Sequence, residues 1–190
     1  MLTLAAGLAV FLGTHLLTTR RALRADLIAR LGAQRFKGLY SLASLCGFAL
    51  LVYGFGAYRS AGYVDIWTPP RALAHLAFLL NLPVFILLAA AYLPGGWIKA
   101  KTRHPMLLAI KCWALAHLLA NGDLGSMLLF GSFLAWAAYA RVSMRERGED
   151  AAPSAAFGTT DAVAIAGGLA AYAVFALWLH PIAIGVAVSG

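Results

Sequence analysis

The apolar stretch Ala72–Leu93, ALAHLAFLLNLPVFILLAAAYL, decides the fold, because it contains no Asp, Glu, Lys or Arg. As a helix it is long enough to cross a lipid hydrocarbon core, which is about 30 Å thick. Five other runs along the chain are also apolar, with at most one charged residue each. The sequence therefore predicts an all-α bundle of about six transmembrane helices, with spans at Leu2–Thr19, Leu39–Tyr58, Ala72–Leu93, Pro105–Ala120, Leu124–Val142 and Ala162–Ile182.

The overall composition agrees with a membrane protein. Hydrophobic residues make up 62% of the chain and charged residues 12%, whereas a soluble domain is roughly half apolar and about a quarter charged. Both cysteines, Cys46 and Cys112, fall inside predicted spans, so no disulfide framework is expected. We expect residues 1–190 to form a single transmembrane domain.

The positive charges predict the orientation of the bundle. The net charge of +8 comes from Lys and Arg residues in short loops, where an excess of such residues marks the cytoplasmic side. The second loop holds only Arg59 and Arg71. The odd-numbered loops, counted with the ends of the adjoining spans, hold all the others except Lys111. These loops are predicted to be cytoplasmic, with both termini periplasmic. The residues are Arg20, Arg21, Arg24, Arg30, Arg35, Lys37, Lys99, Lys101, Arg103, Arg141, Arg145 and Arg147.

Three connecting segments have distinct patterns. Arg20–Gly38 alternates Leu and Ile with Arg at helical spacing, which predicts a short amphipathic helix in the cytoplasmic membrane interface. Ser143–Thr160 is predicted to be a cytoplasmic loop. Asn121-Gly122-Asp123 is predicted to turn the chain between two antiparallel spans, with Gly122 left-handed and Asp123 capping the next helix.

Two of the five histidines lie well inside predicted spans, His15 in the first and His117 in the fourth. A polar side chain is costly in hydrocarbon, so each imidazole should face the bundle interior and a partner. Imidazoles on different helices can hold a metal or a haem iron. Alternatively, each histidine only forms a hydrogen bond across a helix contact. No HExxH or CxxCH motif is present, so a zinc protease or a covalently attached haem has no support.

Further candidate residues lie in or near the fourth span. Trp113, His117 and Asn121 follow one another at intervals of four, which places them on one helix face. His104 precedes Pro105 and marks the cytoplasmic start of the span. Lys111 shares a face with His104, and its ammonium either reaches toward the cytoplasmic surface or pairs with an anion such as a haem propionate.

Several motifs carry a resemblance to a known family. They are FLGTH (residues 11–15), RHP (103–105), KCWA (111–114), AHLLANGD (116–123) and LFG (129–131). With them the chain resembles the NnrU family of bacterial membrane proteins over roughly Leu2–Arg147. That family accompanies nitrite and nitric oxide reduction, and it is similar to 15-cis-zeta-carotene isomerase, a membrane enzyme that uses haem b.

The resemblance implies a cofactor and a location. His15 and His117 match the histidines that would be axial ligands of haem b iron, and His104 matches a third histidine of the pattern. From their places on the fourth span, we also expect Trp113, Asn121 and Lys111 to contact the cofactor. The resemblance implies a multi-pass protein of the bacterial inner membrane with a role in denitrification. Neither His75 nor His180 inherits a role.

The reaction itself stays open at this point. One alternative is a haem-dependent cis-trans isomerase acting on a polyene such as zeta-carotene. Another is a membrane methyltransferase, because Arg103-His104-Pro105 is also similar to the isoprenylcysteine carboxyl methyltransferases. The expected partners are membrane lipid and either an apolar small molecule or a redox partner, and no nucleic acid.

Overall fold

The computed structural model describes residues 1–149 and 154–186, which are all-α apart from one isolated β-bridge. The cytoplasmic loop predicted over Ser143–Thr160 lies partly outside these residues. The helices are α1 (Leu2–Leu16), α2 (Arg21–Leu31), α3 (Ala33–Ser60), α4 (Arg71–Tyr92), α5 (Trp97–Thr102), α6 (Pro105–Ala120), α7 (Leu124–Glu146), α8 (Thr159–Val174) and α9 (His180–Ile184), with a π-helical turn over Phe175–Leu179.

The protein is a multi-pass membrane protein. Four helical segments are long and apolar enough to cross a membrane, and they are Ala33–Ser60, Arg71–Tyr92, Leu124–Glu146 and Thr159–Ile184. Helices α1 and α2 would make a fifth span only as a pair bent by 88°. Helix α6 is apolar but has only 16 residues. The all-α prediction is therefore confirmed, whereas the count of six spans stays a prediction.

The first span and the segment after it differ from the prediction. Helix α1 ends at Leu16, and residues 17–19 form a turn instead of continuing the helix to Thr19. The interfacial helix predicted over Arg20–Gly38 ends at Leu31, because Gly32 has φ +80° and interrupts the helical path. Residues 33–38 belong to the long helix α3 instead.

The residues that the structure describes form two compact units. The first contains Met1–Thr68 and Asn121–Met144, and so includes α1, α2, α3 and most of α7. Its core consists of Leu4, Leu8 and Leu51, against which Leu128, Leu129 and Phe133 of α7 pack. The second contains Pro69–Ala120 and the residues from Arg145 onward. Because α6 and α7 belong to different units, the antiparallel hairpin predicted for them stays a prediction.

Glycines let α1 and α3 approach each other closely. A Cβ added at Gly54 would lie 2.5 Å from the backbone nitrogen of Leu4, and one at Gly47 would lie 2.7 Å from that of Phe11. Small residues of this kind allow helix backbones to touch in a membrane, where dispersion forces drive packing. The two pairs also fix the antiparallel register, in which the end of α1 lies beside the beginning of α3.

The turn before α7 is built differently from the prediction. Asp123 does cap α7, because its Oδ1 accepts a hydrogen bond of 2.9 Å from the Ser126 backbone N–H. The left-handed glycines in the described chain are Gly32, Gly62, Gly148 and Gly185, so the left-handed conformation predicted for Gly122 is wrong. Gly122 is buried, and its carbonyl accepts hydrogen bonds from the backbone N–H groups of Ile66 and Trp67. Tertiary hydrogen bonds therefore hold this turn.

The second unit is tied together by a buried carboxylate. Asp161, in the first turn of α8, is 2% exposed. Its oxygens accept hydrogen bonds from the backbone N–H groups of Trp97 at 3.0 Å, Ile98 at 2.8 Å and Gly158 at 3.0 Å. It therefore satisfies unpaired donors at the start of α5 and of α8 at once.

Candidate functional site

His15 lies in the last turn of α1 and is half-buried. Its Nδ1 donates a hydrogen bond of 2.7 Å to the Phe11 carbonyl one turn earlier. The rings of Phe11 and His15 also stack, with centroids 4.3 Å apart. The backbone hydrogen bond and the aromatic contact together hold the imidazole in one orientation.

Side chains from two other helices complete the surroundings of His15. Tyr40 of α3 lies with its ring centroid 5.9 Å from that of the imidazole. Trp136 of α7 approaches edge-on, with a centroid distance of 5.7 Å and an interplanar angle of 89°. The first unit therefore surrounds His15 with aromatic rings contributed by α1, α3 and α7.

His117 has the same local geometry in the second unit. Its Nδ1 donates a hydrogen bond of 2.8 Å to the Trp113 carbonyl, again one turn earlier on the helix. The rings of Trp113 and His117 are in contact, with centroids 5.3 Å apart. The predicted helical stripe is therefore present from Trp113 to His117. Asn121 follows the last residue of α6, Ala120, and belongs to the first unit, so its place in the stripe stays a prediction.

The two hydrogen bonds fix the tautomer of both histidines. A carbonyl oxygen can only accept, so Nδ1 carries the proton in each neutral ring and Nε2 carries the lone pair. Metal-binding histidines in proteins use this arrangement, in which the second nitrogen donates to a backbone carbonyl and orients the ring. In this tautomer Nε2 is the ring nitrogen with the chemistry of a metal ligand.

The other predicted site residues lie at different places in the second unit. His104 is half-buried immediately before the first turn of α6, and its backbone carbonyl accepts a hydrogen bond from the Leu108 N–H. The preceding residue, Arg103, has φ +62° and forms a sharp bend at this point. Lys111 is half-buried within α6. The part of the chain that the structure describes contains no group of three or more His, Cys, Asp or Glu residues suited to hold a metal ion.

Three residues with notable contacts, Asp161, Trp136 and His180, have no predicted role in the sequence analysis. Asp161 could have been noticed, because Gly-Thr-Thr-Asp at 158–161 has the spacing of a helix-capping box. Trp136 could not, because its contact with His15 joins residues far apart in the chain. His180 also has no predicted role, and its Nδ1 donates to the Val186 carbonyl at 2.8 Å.

The comparisons with known proteins agree with the motifs. The chain matches the NnrU protein family over residues 3–188. The match therefore includes the tail after Arg147, where the motif resemblance stopped. No curated protein and no solved structure matches the chain. Since the match covers nearly the whole sequence, the family predicted from its motifs is confirmed: the chain belongs to the NnrU protein family.

Proposed function

We propose that this protein binds haem b in the membrane, with His15 and His117 as axial ligands of the iron. The observation that carries the proposal is the shared geometry of the two imidazoles. Each donates its Nδ1 proton to a carbonyl one turn earlier on its helix, so Nε2 is the nitrogen that would ligate iron. Haem b, when bound, would supply one-electron chemistry or ligand binding at its iron.

The surrounding residues fit such a cofactor. A porphyrin is flat and apolar, and Phe11, Tyr40 and Trp136 offer aromatic surface beside His15, while Trp113 does so beside His117. In the neutral tautomer the backbone hydrogen bonds raise the basicity of Nε2 and prevent rotation of the rings. The role of this chain's own residues is therefore to orient two neutral imidazoles and to exclude water from them.

The proposed setting is nitrogen-oxide metabolism in the bacterial inner membrane. Membership of the NnrU family supports a role that accompanies nitrite and nitric oxide reduction.

The concentration of Lys and Arg in the odd-numbered loops supports periplasmic termini. Lys99 has a structural role as well, because its Nζ donates to the carbonyls of Ala91 and Leu93, both at 3.0 Å, and so caps the end of α4.

The ligands are tested by single substitutions. His15→Ala and His117→Ala should each lose haem or convert low-spin haem to high-spin, because two neutral imidazoles give a low-spin iron. The measurement is the absorption spectrum of protein purified from cells with abundant haem, with haem content determined per chain. His75→Ala is the matched control, because His75 is exposed on α4 and should leave the spectrum unchanged.

Two results would contradict the haem proposal. If neither His15→Ala nor His117→Ala alters the spectrum of bound haem, the ligands have been assigned to the wrong residues. If the folded protein takes up no haem but binds S-adenosylmethionine, the haem proposal is refuted in favour of a methyltransferase.

The orientation is tested by reporter fusions. We expect reporters placed after Arg35 and after Arg147 to be cytoplasmic, and reporters placed after Gly62 and after Gly190 to be periplasmic, because Lys and Arg are retained on the cytoplasmic side. Activity of a cytoplasm-specific and a periplasm-specific reporter at each position gives the answer. The reverse pattern at all four positions would mean that the charge distribution has been misread.

A further inference from the structure

Two buried hydrogen-bond donors near His15 have no partner. They are the Ser44 hydroxyl on α3 and the Trp136 indole N–H on α7, and each polar atom is shielded from solvent. A buried donor without an acceptor costs about 1–3 kcal/mol, so native proteins rarely retain one without a reason. Both atoms belong to the first unit, which also contains His15.

Ser44 lies on the face of α3 that packs against α1. Gly47 of α3 meets the backbone of Phe11, and Tyr40 contacts the His15 ring. Ser44 lies four residues after Tyr40 and three before Gly47, so it is on the same face of α3. Trp136 reaches the His15 ring directly from α7. Ser44 therefore lies on the face of α3 that carries Tyr40 and Gly47, and Trp136 contacts the same imidazole from α7.

The Ser44 hydroxyl also differs from other hydroxyls in the helices. Thr14, Ser60 and Thr102 each donate to the backbone carbonyl four residues earlier, at 2.7–3.0 Å. This is the usual way in which a helical hydroxyl in an apolar environment is satisfied. Ser44 forms no such bond, although Tyr40 provides a carbonyl at the same spacing. Its hydroxyl thus remains available to a group outside its own helix.

We infer that Ser44 and Trp136 donate hydrogen bonds to a carboxylate of the molecule held at His15. The inference rests on the proposed haem site, and on haem b this carboxylate is a propionate. The two donors match an acceptor-only group, because a carboxylate offers about four lone-pair positions and no proton. Hydrogen bonds to an ionised acceptor are roughly twice as strong as neutral ones. Ser44 and Trp136 would therefore be positioning residues that set how the haem is held at His15.

The test compares haem b with its dimethyl ester, in which both propionates are blocked. The measurement is the rate at which each pigment leaves the full-length protein for an excess of apomyoglobin. In the parent protein we expect the ester to dissociate about ten-fold faster or more. Ser44→Ala and Trp136→Phe should each raise the dissociation rate of haem. In the double variant, haem and its dimethyl ester should dissociate at nearly the same rate.

The absorption spectra of the variants distinguish a failure of this inference from a failure of the proposed haem ligation. The low-spin spectrum should persist in Ser44→Ala and Trp136→Phe, because His15 remains in place. Two variants serve as controls. Ser41 is exposed on the same helix and Trp178 is also exposed, so Ser41→Ala and Trp178→Phe should leave the dissociation rate of haem unchanged.

The outcomes that would overturn the inference are also specific. Equal rates for haem and ester in the parent protein would contradict it without any substitution. Unchanged haem rates in Ser44→Ala and Trp136→Phe would contradict it as well, provided that His15→Ala still releases haem. If His15→Ala has no effect, the proposed ligand itself is wrong.

Discussion

Replacement of Gly54 by Ala is expected to destabilise the protein by about 3 kcal/mol, at the upper end of overpacking effects. The added Cβ would lie 2.5 Å from the backbone nitrogen of Leu4 and 2.8 Å from its Cα. A backbone cannot move aside as a flexible side chain can, so α1 and α3 would have to separate. This separation would loosen the core formed by Leu4, Leu8 and Leu51.

Gly56 provides a matched control on the same helix. A Cβ there meets no atom within 4 Å, and Ala is favoured over Gly in a helix by up to about 1 kcal/mol. Gly56→Ala should therefore be neutral or stabilising, with a sign opposite to that of Gly54→Ala. Thermal denaturation of the detergent-solubilised protein, followed by loss of the monodisperse species, measures both. Equal melting temperatures for the two variants would show that α1 and α3 do not pack through Gly54.

Replacement of Asp161 by Ala is expected to lower the melting temperature by roughly 10 °C. The substitution removes the acceptor of three backbone N–H groups, those of Trp97, Ile98 and Gly158. These donors lie at helix starts and have no partner within their own helix. Asp161→Asn keeps one side-chain oxygen as an acceptor, so it should lower the melting temperature by less than Asp161→Ala does.

A surface aspartate controls for the loss of charge. Asp26 forms an ion pair with Arg30 at 2.9 Å, and both side chains are largely exposed. Such pairs contribute little to stability, so Asp26→Ala should melt within a few degrees of the parent. If Asp161→Ala also melts like the parent, the carboxylate does not hold the starts of α5 and α8 together.

The sequence predicts the apolar helices to a large extent, because each one is determined locally by its hydropathy. Helix α6 has the predicted bounds, and α4 lies within one residue of them. The errors arise where the conformation of a single residue interrupts a pattern. Gly32 ends the interfacial helix early, although the alternation of apolar and basic residues continues past it. Gly122 was predicted to be left-handed from its place after a helix, whereas hydrogen bonds from distant residues hold that turn.

The candidate site could be predicted only in part for a similar reason. His15 and His117 stand out because imidazoles are rare in apolar runs. Their aromatic neighbours at the preceding turn, Phe11 and Trp113, follow from helix periodicity. The contacts of His15 with Tyr40 and Trp136 do not, because they depend on how α1, α3 and α7 pack. The unpaired donor of Ser44 is likewise visible only in three dimensions.

The proposed binding of haem b can be tested on the parent protein itself. The most direct measurement is the reduced-minus-oxidised absorption spectrum of the parent protein, purified from cells supplied with abundant haem, together with its haem content. We expect low-spin haem b with the narrow bands of two imidazole ligands. A folded, monodisperse protein that contains no haem under these conditions would contradict it.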